Sequence, residues 1–134
     1  MKDRSIPIIK LHGNLLVSIQ VDLDDQLALM LQDDITHEIV KTGASGLILD
    51  VSAINIMDSY IARLIDNIGK NARIMGARSV VVGLQPAIAI TLVEMGMEME
   101  SVETALNLEA GLRLLDEGRE EEEEEEDDIE GEES

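Results

Sequence analysis

Apolar positions change their spacing several times along the chain, and each change marks an element. In IPIIKLHGNLLVSIQVDL, Leu15, Val17, Ile19 and Val21 alternate with Leu16, Ser18, Gln20 and Asp22, the two-residue period of a strand with one face better buried than the other. Gly13-Asn14 separates this run from an earlier one, a turn signal for an antiparallel hairpin. Pro7 has no N–H to donate to a ladder, so the first strand lies at the sheet edge or begins there. From Asp24 or Asp25 the spacing lengthens. Leu27, Met30, Leu31, Ile35, Ile39 and Val40 recur at three and four residues, and the acids at the start favour the positive end of a helix dipole. Lys41, Thr42 and Gly43 close this helix.

Two short runs, GLILDV and SVVVGL, are nearly continuous in apolar and β-branched residues, which fits strands covered on both faces and points to a parallel centre for the sheet. Between them Ile61, Leu64, Ile65, Ile68, Ala72 and Met75 form one helical stripe, with Arg63, Asp66, Lys70 and Arg73 largely off it. Strand, helix and strand in this order predict a right-handed crossover. Pro86 suits the first turn of a further helix, PAIAITLVEMG, closed by Gly96. A short strand is expected at 99–102, and NLEAGLRLLDEG predicts a last helix with Leu108, Leu112 and Leu115 on its apolar side. The order β-β-α-β-α-β-α-β-α gives an α/β domain: a mixed sheet with an N-terminal antiparallel hairpin, central parallel strands and about four helices.

Composition bounds the rest. The chain has 134 residues, 45% of them apolar, enough for one domain with one core. Phe and Trp are absent and Tyr60 is the single aromatic residue, so the core is aliphatic. The net charge is −19, but residues 1–118 carry 9 bases and 17 acids, a net −8. The domain is therefore expected at 1–118. The segment 119–134, REEEEEEEDDIEGEES, has little to bury and strong self-repulsion, and is expected to be a disordered acidic tail. An acidic surface without a basic patch argues against nucleic-acid binding. No apolar run approaches the roughly 20 residues of a membrane span, and MKDRSIPIIK is unlike a signal peptide, so a cytoplasmic protein is expected. The absence of Cys excludes disulfides, thiolate metal sites and a thiol nucleophile.

Candidate chemistry is sparse. His12 falls in the hairpin turn and His37 on the first helix, with no HExxH or other ligand cluster beside them. Asp22, Asp24 and Asp25 resemble the start of a calcium loop, but the required Gly and Glu are missing, and helix capping accounts for them better. There is no Walker motif, GxGxxG or GxSxG, so no cofactor, metal or catalytic residue is expected and the chain reads as a non-enzyme. Ser59 stands apart. It follows a buried strand by one short loop, opens a helix and is preceded by Asp58. Either Asp58 or Ser59 could cap that helix. A phosphate at Ser59 would also meet the N–H groups and positive dipole end of the helix, and would add roughly −1.5 to −2 charge units beside Asp58.

The segments IMDSYIARLI, QPAIAITLVEMG and VETALNLEAGLRLL, with the order of elements, resemble the STAS family over roughly residues 5 to 117, and within it the stressosome antagonist branch. Simpler anti-anti-sigma factors follow the acceptor serine with a small-residue SG pattern, whereas Tyr60 and Ile61 stand here, which favours the stressosome branch. The resemblance implies that Ser59 is the phosphoacceptor. It also implies a phosphorylation-switched antagonist and scaffold that sequesters a GHKL-type serine kinase (RsbT-like) until the serine is modified. Further implied partners are RsbR-like coantagonist STAS proteins, in homo- and hetero-oligomers, and an RsbX-like phosphatase. Asp58, Tyr60 and Arg63 are the candidates for kinase docking. The alternative within the family is a small-ligand or nucleotide-binding regulatory module.

Overall fold

Two apolar strands, covered on both sides, stand at the centre of the fold. The computed structural model describes residues 6–20 and 22–133. Its elements are β1 (Ile8–Leu11), β2 (Asn14–Ser18), α1 (Asp25–Thr42), β3 (Gly46–Asp50), α2 (Ser59–Ile74), β4 (Arg78–Val82), α3 (Pro86–Glu94), β5 (Glu103–Ala105) and α4 (Leu108–Glu133). One five-stranded sheet runs in the order β1-β2-β3-β4-β5, antiparallel between β1 and β2 and parallel thereafter. Alternate residues of the central strands divide between two apolar layers, as the pleat requires. Leu47, Leu49 and Val81 join the larger core with α1, α2 and α3, whereas Ile48, Val80 and Val82 meet Leu115 and its neighbours on α4. That division explains why β3 and β4 show no polar alternation.

α1 begins as the acids predict. Asp24 is its N-cap, with Oδ1 accepting from Leu27 N–H at 2.8 Å. Gly43 ends it in the left-handed conformation (φ 67°), its N–H donating to Ile39 O. The buried face is Leu27, Ala28, Leu31, Ile35 and Ile39; Met30 and Val40 of the predicted stripe are exposed. On α2 the stripe holds, with Leu64, Ile65, Ile68 and Ala72 buried and Ile61 and Met75 half-buried. Among the described residues no helix is long and apolar enough to cross a membrane.

Three expectations need correction. The hairpin turns one residue earlier than its signal, at His12-Gly13, which take φ values of 50° and 82°. Asn14 is drawn into β2 instead, paired with Leu11 and buried, because the Arg119 guanidinium donates to its Oδ1. Val21, placed in that strand by the sequence pattern, lies outside the described residues. The last strand forms at Glu103–Ala105, not at 99–102. Met97, Met99 and Val102 pack under the core, and Asp66 on α2 accepts the Ser101 N–H at 3.0 Å. The chain then reaches β4, where the Arg78 guanidinium forks onto both carboxylate oxygens of Glu103.

The last helix does not stop near Gly118 but continues to Glu133, through the segment expected to be disordered. Arg119 accounts for its continuation past the leucines. Beside its bond to Asn14, it donates to Ser45 Oγ at 2.8 Å and to Asp116 Oδ1 at 3.0 Å. Glutamate is a good helix former, so a turn fastened in this way can propagate. Glu120–Glu125 are exposed, and the charges of Glu121 and Glu122 act on Arg78.

Candidate functional site

The link between β3 and α2 is built to hold a helix start at one end of the sheet. At the end of β3, Asp50 Oδ1 accepts the Ser52 N–H at 2.9 Å, and the Val51 N–H donates to Val82 O at 3.0 Å. Gly83, at φ 77°, lets the neighbouring β4–α3 link pass close by; a Cβ there would stand 2.8 Å from Ser52 Cβ. From that link Gln85 Nε2 donates to Ser52 O at 3.0 Å and to Asn55 Oδ1 at 3.1 Å. Gln85 occupies the N-cap position of α3 without making a side-chain cap bond. Its amide is spent on the loop leading to Ser59.

Of the two residues able to cap α2, the structure selects Asp58. With extended backbone (φ −98°, ψ 178°), its Oδ1 accepts the Ile61 N–H at 2.9 Å. Ser59 is thereby the first helical residue, half-buried, with its hydroxyl not engaged in the cap. Arg63, one turn on, donates from Nη2 to Ser59 Oγ across a long 3.4 Å. Tyr60, 37% exposed, turns towards α1. Partial burial and a hydrogen bond to the Asp25 carboxylate, followed by the charges of Asp24 and Asp58, raise its hydroxyl above the ordinary tyrosine range. Asp58, Ser59, Tyr60 and Arg63 thus meet at the head of α2, with Asp24 and Asp25 at the head of α1 beside them. Ile56, in the same loop, is 85% exposed.

Next to this group lies a cavity of about 500 Å³ lined by Ile19, Gln20, Asp22, Ile54, Asn55 and Asp58 among others. Among the described residues, its lining carries carboxylates and no cation. The histidines lie elsewhere. His12 is in the hairpin turn, at the end of β2 remote from Ser59, and His37 is on the later turns of α1. There its Nδ1 faces Asp33 O at 2.8 Å, which with the Asp33 carboxylate raises its pKa. Sequence reasoning grouped the head of α2 because its members are nearly consecutive. It missed Gln85 and the Asp25 contact, which come from other elements; a glutamine where a short capping side chain is usual was the only available signal.

The fold and its comparisons agree on ancestry. The sequence matches the STAS domain family over residues 5–111, and the chain belongs to that family. Among solved structures it is similar to a serine-to-glutamate variant of RsbS from Moorella thermoacetica, at 34% identity and a TM-score of 0.76, covering 88% of this chain and 99% of that one. It is also similar to a chain from the stressosome, described as a signal integration and transduction hub, at 36% identity and a TM-score of 0.73, covering 83% and 96%. Among curated proteins it resembles the RsbT co-antagonist RsbRA of Bacillus subtilis, 25% identical over 114 residues, 84% of this chain and 42% of that protein. The chain spans about two fifths of the length of such co-antagonists.

Proposed function

We propose that this chain is a phosphorylation-switched antagonist and scaffold subunit of a stressosome-like assembly, with Ser59 as the phosphoacceptor. Unmodified, it sequesters a GHKL-type serine kinase of the RsbT kind at the head of α2. Modification releases that kinase to activate stress and sigma-factor signalling, and an RsbX-like phosphatase resets the serine. RsbR-like STAS proteins share the assembly. The observation that carries this reading is the division of labour at α2: Asp58 holds the cap, leaving the Ser59 hydroxyl to chemistry. That a serine-to-glutamate form of a similar RsbS has been solved supports it, since glutamate imitates the charge of phosphoserine. Phosphate here would meet the positive end of α2 and Arg63, and would repel Asp58, Asp24 and Asp25. The modified surface therefore changes its charge without a change of fold. Tyr60 and Arg63 flank the hydroxyl and form the kinase-reading surface with Asp58.

The test is labelling by the cognate kinase and ATP. Phosphate is expected on Ser59 alone, and Ser59→Ala should abolish labelling with an unchanged circular dichroism spectrum. Phosphate mapped to another residue would overturn the assignment. The cavity beside Asp58 favours a second reading, a ligand-binding regulatory module. Among the described residues its lining, with Asp22 and Asp58, offers an anionic nucleotide no counter-charge, which favours a neutral or cationic ligand in that reading, and calorimetry with nucleotides should show no heat.

A further inference from the structure

The β3–α2 link is fastened locally at its two ends, and its middle is held from elsewhere in the chain. At the start the Ile54 N–H closes a turn onto Val51 O at 3.0 Å, and at the finish Met57 is buried beside the Asp58 cap. Between them Ser52, Ala53, Asn55 and Ile56 are exposed. Among the described residues, the long-range side-chain bonds to this stretch are the two from Gln85, to Ser52 O and Asn55 Oδ1. Gln85 can serve the link because α3 needs little from its side chain. Pro86 brings no N–H to the first turn, and the Ile88 and Ala89 N–H groups both donate to the Gln85 backbone carbonyl, at 2.9 and 3.0 Å. A short Asp or Ser at this position would cap its own helix; the longer glutamine carries its amide across to the neighbouring link. Gly83 keeps the two links close enough, since a Cβ there would also stand 3.1 Å from Asp50 Oδ1, the acceptor of the Ser52 N–H.

We propose that Gln85 is a positioning residue for the modification of Ser59: it fixes the middle of the β3–α2 link, so that the kinase meets a preformed surface leading to the hydroxyl. Its amide bonds Ser52 and Asn55 and acts on Ser59 through them. Asn55 is followed by Ile56, 85% exposed, so fixing Asn55 also fixes where that apolar side chain stands. A link that is already ordered spares the docking kinase the entropy of ordering it. Ser59 itself is held separately, as the first residue of α2 behind the Asp58 cap. Once the kinase is docked, the hydroxyl therefore keeps its place with or without the clamp. Loss of Gln85 acts on KM and leaves kcat. This inference deepens the proposed switch and rests on Ser59 being its phosphoacceptor.

The experiment is steady-state phosphorylation of the intact chain by the GHKL-type kinase and ATP, with the site mapped by mass spectrometry, for wild type, Gln85→Met, Asn55→Ala and Arg119→Ala. Methionine keeps the length of glutamine and donates no hydrogen bond. Gln85→Met is expected to raise KM for the chain about fivefold or more, with kcat within about twofold of wild type. The dissociation constant measured without ATP should rise by the same factor. Asn55→Ala should shift KM in the same direction, and the double variant by less than the product of the two single changes. Arg119→Ala loosens the domain at the opposite end of the sheet and should leave KM within about twofold of wild type. In the protein alone, the Ile54 amide should exchange with solvent about tenfold faster in Gln85→Met. Circular dichroism melts check folding, with Gln85→Glu as the second variant if Gln85→Met does not fold. Ser59 labelling with an unmoved KM in the Gln85 variant, a loss confined to kcat, or an equal rise in Arg119→Ala would each overturn the positioning role and leave the switch in place. Wild type labelled at another residue would overturn the switch itself.

Discussion

Replacing Asp58 by Ala removes the acceptor that holds the Ile61 N–H at 2.9 Å, and loss of such a cap costs about 1 kcal/mol. Ser59→Ala gives up one long, exposed hydrogen bond and should stay within about 0.5 kcal/mol of wild type. Chemical denaturation of the two variants checks that ordering; a Ser59→Ala cost as large as that of Asp58→Ala would return the cap to the serine. Tyr60 offers a second reporter, because the chain has one Tyr and no Trp, so its ultraviolet titration reads this side chain alone. Its midpoint should lie above the usual tyrosine value and fall back in Asp25→Asn. The sign follows from the raised value: the Tyr60–Asp25 tie is fully present below the unfolded pKa and is lost as pH rises through the folded one. A midpoint unmoved by Asp25→Asn would refute the contact.

α4 separates into two parts by what its side chains touch. Up to Arg119 it is fastened, so Arg119→Ala should leave buried Asn14 Oδ1 unpaired and cost about 1–3 kcal/mol. Beyond Arg119, like charges four residues apart oppose the helix by a few tenths of a kcal/mol per pair. Helical circular dichroism of the intact chain should therefore rise with added salt, and a chain ended at Arg119 should lose that rise while keeping its melting temperature. Truncation that lowered the melting temperature would show the tail packing on the domain. The same division shows what was legible beforehand. The caps and stripes of α1 and α2 depend on residues three or four apart, so a linear pattern contains them. The position of β5 depends on Asp66 and Arg78 reaching it from other elements, and the hairpin turn on Arg119 reaching Asn14 from the far end of the domain. The candidate site divides alike: Asp58 to Arg63 are neighbours in sequence, whereas Gln85 and Asp25 become neighbours only by folding.

At the scale of the whole molecule, charge sorts the surfaces. The heads of α1 and α2 gather Asp24, Asp25 and Asp58 around Ser59, the outer face of α3 is neutral, and the end of α4 concentrates twelve of the chain's 29 acids. The sheet keeps these regions in fixed relation, and its two covered faces leave no reason for phosphorylation at an exposed corner to disturb the core. In the proposed switch, phosphate on Ser59 would change what that corner attracts. Calorimetric titration of the GHKL-type kinase into the chain with Ser59 unmodified, and into the chain carrying phosphate on Ser59, tests this most directly. The account predicts tight binding to the first and at least about tenfold weaker binding to the second. Equal affinity for the two forms would contradict it.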